Sequence, residues 1–264
     1  NDFIEVEFTN RGGAIRRVNF LQTKRGGRDD YVFNDKGHLP ALSLGLPKSD
    51  GSIREFDMAY KVESRSANSI TFVLQAGPEL RIHRTYSLAA GSGNGQDPYI
   101  IEHRTRFENL GANPKAFSTL YLNLGTMRPI SDGAMQQSYV NVGYFDGNDA
   151  KFKAVTKLTG SSGFLGIGAS APKDQIIISK GAPLQWTSVK SQFFAGILSA
   201  RETSAESLVI YPVYSKPAAP GELAPRTGIT GSAAYAFGIV PAGDSKSFDL
   251  DFFVGPKEFK RLQS

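Results

Sequence analysis

A chain of 264 residues that is 40% hydrophobic and 21% charged can bury a sizeable core, and its length admits one large all-β domain or two smaller ones. The net charge of +5 is mild and its positive residues are spread along the chain, which argues against a nucleic-acid-binding stripe. Cysteine is absent, so disulfides, thiolate metal sites and thiol nucleophiles are excluded together, while the compartment stays open.

With 28 glycines, 14 prolines, 18 phenylalanines and 10 tyrosines, the composition favours short strands joined by turns over a helical bundle. The chain opens on "NDFIEVEF", already strand-like, with no signal peptide ahead of it. "FIEVEF" puts Phe3, Glu5 and Glu7 on one face and Ile4, Val6 and Phe8 on the other. "AIRRVNFL" follows and leads into "RRVNFLQTKRGGR" (Arg16 to Arg28), the densest basic run, which Asp29 and Asp30 follow at once; it reads as a solvated surface. Alternation resumes in "IREFDMAYKVES", "SITFVLQA", "ELRIHRTYSL", "YIIEHRTRFEN" and "AFSTLYLNLG". "AAGSGNGQDP", "NLGANP" and "YFDGND" supply turn residues between strands.

After a less regular middle come "DQIIIS", "QFFAGILS", "ESLVIYPVY", "SAAYAFGIV" and "KSFDLDFFVG". Roughly seventeen candidate strands result, spaced as in all-β sandwiches. "KPAAPGELAPRTG" (Lys216 to Gly228) is the most linker-like loop, but alternation resumes beyond it, so one domain is kept over residues 1–264. "GPKEFKRLQS" predicts a short closing helix over 256–264, with Gly255 near its cap, Pro256 in its first turn, and Phe259 and Leu262 on one face. No run of about eighteen apolar residues could span a bilayer. A chain that starts and stops on structured segments suggests a soluble piece of something larger.

Motifs of chemistry are scarce. No Gly-Lys-Ser/Thr, no Gly-x-Ser-x-Gly and no histidine pair at helical metal spacing occurs, and "GFLGIG" has the wrong spacing for a dinucleotide fingerprint. No catalytic, cofactor-binding or metal-binding residue is therefore assigned. His83 and His103 lie on consecutive strands; in the right register they would be cross-strand neighbours, with Glu102 or Glu108 completing an epimerase-like acid/base site. A one-residue slip sends them to opposite faces, and they are read as ordinary strand histidines. His38, in the loop "DKGHLP", is weaker still. Trp186 is the only tryptophan. It is read as capping the core ahead of a buried strand, "QFFAGIL", that carries Phe193 and Phe194 into the interior, while Ala195 and Gly196 suggest close packing between sheets.

The stretch "GAPLQWTSVKSQFFAGILSA" resembles the large periplasmic domain of YidC, the bacterial membrane protein insertase; Trp186, Gln192, Phe193 and Phe194 stand at the matching places. "VEFTNRGGAIRRVNFL", with Thr9, Arg11, Gly12 and Gly13 in its turn, resembles the family's first strand pair. "FENLGANP" and "DFFVGPKEFKRL" resemble its Asn-x-Gly-x-x-Pro strand exit and its Val-Gly-Pro segment. The likeness runs from end to end, loosely over about residues 126–182.

The resemblance implies a β-supersandwich, two large antiparallel sheets in the galactose-mutarotase manner, with a short C-terminal helix leading towards a transmembrane span absent from this chain. It also implies a non-enzymatic periplasmic domain, tethered to the inner membrane in the whole protein, monomeric when isolated, and part of an insertase and chaperone. That insertase would act alone or with Sec translocon components such as SecDF on client membrane proteins. From their spacing on one helical face after the last strand, Phe259 and Leu262 are expected to pack on the sandwich as a coupling element. The alternative is a carbohydrate-binding or aldose-epimerase-like protein on the same fold. The groove and functional arginine of the insertase lie in membrane helices outside this chain.

Overall fold

The computed structural model describes residues 1–22, 31–35, 37–89, 97–130, 134–160, 169–214 and 227–257. Among these the chain forms β1 (Ile4–Thr9), β2 (Ala14–Phe20), β3 (Val32–Phe33), β4 (Leu44–Pro47), β5 (Ile53–Glu55) and β6 (Lys61–Arg65). The long central strands follow: β7 (Ser69–Gln75), β8 (Leu80–Leu88), β9 (Ile100–Asn109) and β10 (Lys115–Met127). A one-turn helix, α1 (Ala134–Ser138), precedes β11 (Asn141–Phe145) and β12 (Ala150–Ala154). The last six strands are β13 (Ile176–Leu184), β14 (Trp186–Lys190), β15 (Phe194–Ala200), β16 (Ala205–Tyr214), β17 (Thr227–Val240) and β18 (Ser245–Pro256).

Two large sheets pack face to face, as expected, and a small third joins them. The nine-stranded sheet runs β12-β11-β14-β15-β18-β9-β8-β7-β6 and the six-stranded one β13-β16-β17-β10-β4-β5, while β1-β2-β3 form the third. Strand pairs in all three are antiparallel.

Alternation decides which side chains enter the core. On β8 the even positions Ile82, Arg84 and Tyr86 are buried; on β9 the odd positions Ile101, His103, Thr105 and Phe107 are. The small sheet lies over the same inner face: Phe8 packs on Phe72 and Tyr86, and Phe20 stacks on Phe194 at 4.7 Å. The six-stranded sheet meets the nine-stranded one through contacts such as Tyr235 on Phe248 at 4.8 Å. Gly196 is where the sheets approach closely, since a Cβ there would lie 3.4 Å from the Phe33 ring.

Four expectations change. "IREFDMAYKVES" is not one strand, because the chain leaves the six-stranded sheet after β5 and joins the nine-stranded one at β6. Between them it docks on the first turn: the Gly12 amide donates to the Met58 carbonyl (2.8 Å) and the Tyr60 amide to that of Asn10 (2.8 Å). Trp186 does not cap the core; it opens β14, half-buried on the outer face, stacked on Phe145. Phe193 is not a core residue, being 56% exposed in the turn between β14 and β15, whereas Phe194 is buried. The turn is closed by the Ser191 amide donating to the Phe194 carbonyl (2.9 Å), and the two adjacent phenylalanines point opposite ways. Finally, Gly255 and Pro256 belong to β18 rather than to a helix. Phe259 and Leu262 lie outside the described residues.

Candidate binding surface

The two strand histidines do not meet. The register pairs His83 with Arg106 and His103 with Tyr86, so the imidazoles stand on opposite faces of the nine-stranded sheet. His83 is outside, its Nδ1 3.0 Å from Glu63 Oε2 and its Nε2 3.4 Å from Glu108 Oε2. His103 is inside, 2% exposed. Its Nδ1 lies 2.9 Å from the Thr85 carbonyl, so Nδ1 carries the proton, and Nε2 accepts from Arg84 at 3.1 Å. Burial first, and the Arg84 charge second, push this histidine well below its ordinary value, so it stays neutral. Glu102 and Glu108 alternate outwards on β9, away from His103. The two imidazoles therefore share no site, and the carboxylates near His83 have no second histidine beside them.

Arg84 is fully buried. Its guanidinium donates to the carbonyls of Gly12 (2.8 Å) and Leu42 as well as to His103. This is a structural staple between β8 and the first turn rather than an accessible cation. His38 is exposed beside a polar cleft of about 660 Å³ whose lining includes Arg16, Asn34, Glu55 and Asp57. Burial, and then the Asp57 charge, push Glu55 up to about 7.

A second concavity lies on the outer face of the nine-stranded sheet, a groove of about 430 Å³. The strand register builds it row by row. The central row runs Phe152, Gly143, Ser188, Ile197, Phe253 and Ile100 across six strands. Gly143 is required in it: a Cβ there would lie 2.5 Å from the Phe152 ring, which covers that glycine. Phe152 and Trp186 (ring centroids 6.4 Å apart) make one wall and Phe253 the other, over a floor of Ser188, Ile197 and Ser199.

The groove's two ends differ in charge. At one end Arg201 pairs with both Glu102 (2.8 Å) and Asp251 (2.5 Å), a self-neutralised cluster. At the other stand Lys190, its Nζ 3.4 Å from the Phe152 ring centre, and Lys257, whose amide donates to the Phe193 carbonyl (2.7 Å). Burial lowers the pKa of both lysines, and the charge of Lys257 lowers that of Lys190 further. Such a surface can bind. Among the described residues no cluster of three or more metal-ligating side chains occurs.

Of the described residues singled out by sequence, Trp186 and Ala195 line this groove. The signal for the rest was present in the alternation: "WTSVK" puts Trp186, Ser188 and Lys190 on one face, and "FDLDFF" puts Phe253 beside Asp251 on an outward face.

Comparison with known proteins bears on what such a surface serves. The model of a family described as the YidC periplasmic domain matches residues 1–264. No curated protein matches the sequence. Among solved structures, a galactose mutarotase related enzyme from Lactobacillus acidophilus is 13% identical, with a TM-score of 0.59, covering 97% of this chain and 95% of its own. A protein provisionally assigned as an aldose 1-epimerase from Escherichia coli K12 is 11% identical, with a TM-score of 0.58 and 97% of both chains covered. The Slr1438 protein from Synechocystis sp. PCC 6803 is 12% identical, with a TM-score of 0.53, covering 97% of this chain and 93% of its own. At such identities the likeness is one of fold, and function must be read from the site.

Proposed function

The chain belongs to the YidC periplasmic domain family, and from that premise we propose that it is the non-catalytic periplasmic module of a membrane protein insertase. The family places it on the periplasmic side of an inner-membrane protein. In this reading the sandwich is a rigid docking and spacing element beside the membrane, serving insertion and folding of client membrane proteins. Its partners are Sec translocon components such as SecDF and exposed segments of clients.

The observation that supports a non-catalytic role over the epimerase alternative is the placement of the two strand histidines. Ring opening and closing of a sugar needs a base and an acid facing one substrate. Here His83 faces outwards among Glu63 and Glu108, and His103 is sealed in the core on Arg84. Polarimetry with galactose and glucose tests the reading: no rate above buffer is expected. A rate that disappears in His83→Ala or His103→Ala would make the domain an epimerase. Docking is tested separately in the full-length insertase by cross-linking to SecDF and to a nascent client. Adducts from the outer face of the nine-stranded sheet support it, and their absence from every face of the domain refutes it.

A further inference from the structure

The two large sheets leave a gap at one corner. Where the chain crosses from β5 to β6, a pocket of about 300 Å³ opens between them. Its floor is core: Leu44 of β4, Leu120 of β10, Ile82 of β8 and Phe107 of β9 are each no more than 3% exposed. Phe107 and Phe117 make an aromatic wall, their ring centroids 4.9 Å apart. The crossover forms the lid with Phe56 and Met58, and Met58 is 45% exposed at the mouth. The lid's backbone is pinned. The Phe56 amide donates to the Leu44 carbonyl (2.7 Å), and the Met58 carbonyl accepts from the Gly12 amide (2.8 Å). The flexible thioether chain of Met58 is the part left to move.

All ten lining residues are apolar, and that decides the chemistry of an occupant. A buried water needs roughly two to four polar partners, and none is offered. A buried hydroxyl, amide or charge would likewise lose its hydration with nothing in return. The charged groups next to the lining residues are already matched: Asp57 by Arg11, Glu79 by Lys115 (2.7 Å) and Arg81 by Glu108 (3.2 Å). No charged headgroup is called for. An uncharged apolar body gains twice, because it leaves water and covers Leu46, Phe56, Leu80 and Phe117, which stand half-buried round the mouth.

Size and shape narrow the class. An apolar cavity of about 150 Å³ takes benzene, and a pocket twice as large fits two fused aromatic rings. Phenylalanine rings and a methionine sulfur suit an aromatic guest better than a saturated chain. Extended peptide would pair with an open sheet edge, and two edge strands, β5 and β6, flank this corner. Neither contributes a residue to the lining. A strand added to either would lie outside the pocket, and its amides and carbonyls would find no partner within.

We infer that the pocket at the β5–β6 crossover binds a small uncharged aromatic molecule of about two fused rings, seated on Leu44, Ile82, Phe107 and Leu120 with Met58 closing over it. The assignment goes beyond the docking role and holds whether or not the domain meets a protein partner, so the two fail on different experiments.

The three methionines of the chain sample three surroundings. Met58 closes the pocket, Met127 is sealed in the core and Met135 is 73% exposed on α1. In the protein labelled with carbon-13 at the methionine methyls, titration with naphthalene should shift the Met58 signal saturably and leave the other two in place. Naphthalene-2,6-diol carries a hydroxyl at each end, so one must be buried, and about tenfold weaker binding is expected. Ala76→Phe fills the pocket from a partly exposed position and should abolish the Met58 response, with the thermal midpoint showing that the variant has folded. Leu46→Gln, a milder change that puts an amide at the rim, should weaken naphthalene about tenfold and decides the matter if Ala76→Phe does not fold. No saturable shift at Met58 overturns the assignment, as do equal shifts at all three methionines, equal binding of the diol, or an affinity unaltered in the folded variants. A Met58 shift produced by phosphatidylglycerol vesicles or by an aromatic peptide, but not by naphthalene, would give the pocket to a lipid chain or a protein segment instead.

Discussion

Phe193 and Phe194 differ by one position, yet the fold treats them as opposites. Phe194 is 8% exposed and stacked on Phe20 at 4.7 Å and Tyr31 at 4.6 Å; Phe193 is 56% exposed in the turn. Truncating the first removes ring contacts inside a packed interior, so Phe194→Ala should cost about 3–5 kcal/mol. Phe193→Ala removes a ring already in water and should stay within about 0.5 kcal/mol. Urea denaturation of the two variants checks the pair, and equal losses would contradict the assigned faces. At this scale the sequence was only partly legible. Two adjacent aromatics in a strand must point oppositely, but which one points inwards depends on where the strand begins. Here a serine-anchored turn delays β15 by one residue relative to the aromatic run, and the Ser191 contacts that cause the delay are long-range neither in sequence nor in appearance. The place of Trp186 is hidden in the sequence for a related reason: "WTSVK" is too short and too polar to stand out as a strand until β11 and β15 flank it.

Among the elements, the turn between β1 and β2 explains why two successive glycines stand where the resemblance places its motif. Gly12 and Gly13 have φ of 74° and 53°, a conformation that L side chains rarely adopt. It aims both carbonyls at β8: Gly12 accepts from Arg84 (2.8 Å) and Gly13 from the Tyr86 hydroxyl (2.7 Å). The glycines differ in surroundings, because a Cβ on Gly13 would lie 3.0 Å from the Tyr60 ring while one on Gly12 meets nothing nearer than 3.8 Å. Gly12→Ala should therefore carry backbone strain alone, about 1–2 kcal/mol, and Gly13→Ala clearly more, since Tyr60 and Phe72 must also move. Thermal midpoints in the reverse order would refute this account. Most strands were legible because alternation is a local property; the break between β5 and β6 was not, because it is set by which sheet each half joins. The groove was legible in fragments and not as a site, since antiparallel register brings Phe152, Ile197 and Phe253 into one row from distant parts of the chain.

At the scale of the molecule, one continuous core cluster includes inner-face residues of all three sheets, from Ile4 and Phe33 through Tyr86 and Phe252 to Leu208 and Tyr235. Because that cluster spans all three sheets, unfolding by heat should be a single transition, with Trp186 fluorescence and far-ultraviolet circular dichroism tracing the same curve. A cooperative fold also makes His103 a sensor of global stability. Its folded-state pKa is depressed well below the ordinary 6.5 because burial and Arg84 oppose its charge. Above pH 6.5 the imidazole is neutral in both folded and unfolded chains, and pH does not act through it. As pH falls below 6.5 the unfolded chain takes up a proton there and the folded one does not, so stability is lost with acidification, by up to about 1.4 kcal/mol per pH unit from this one group. In His103→Gln that contribution is gone while the remaining titrating groups are shared. The wild type should therefore lose stability relative to the variant between pH 6.5 and 5, and the difference should be flat above pH 7. A difference independent of pH across that range would mean that His103 takes up its proton in the folded state, and that the Arg84 staple opens to solvent without the sandwich unfolding.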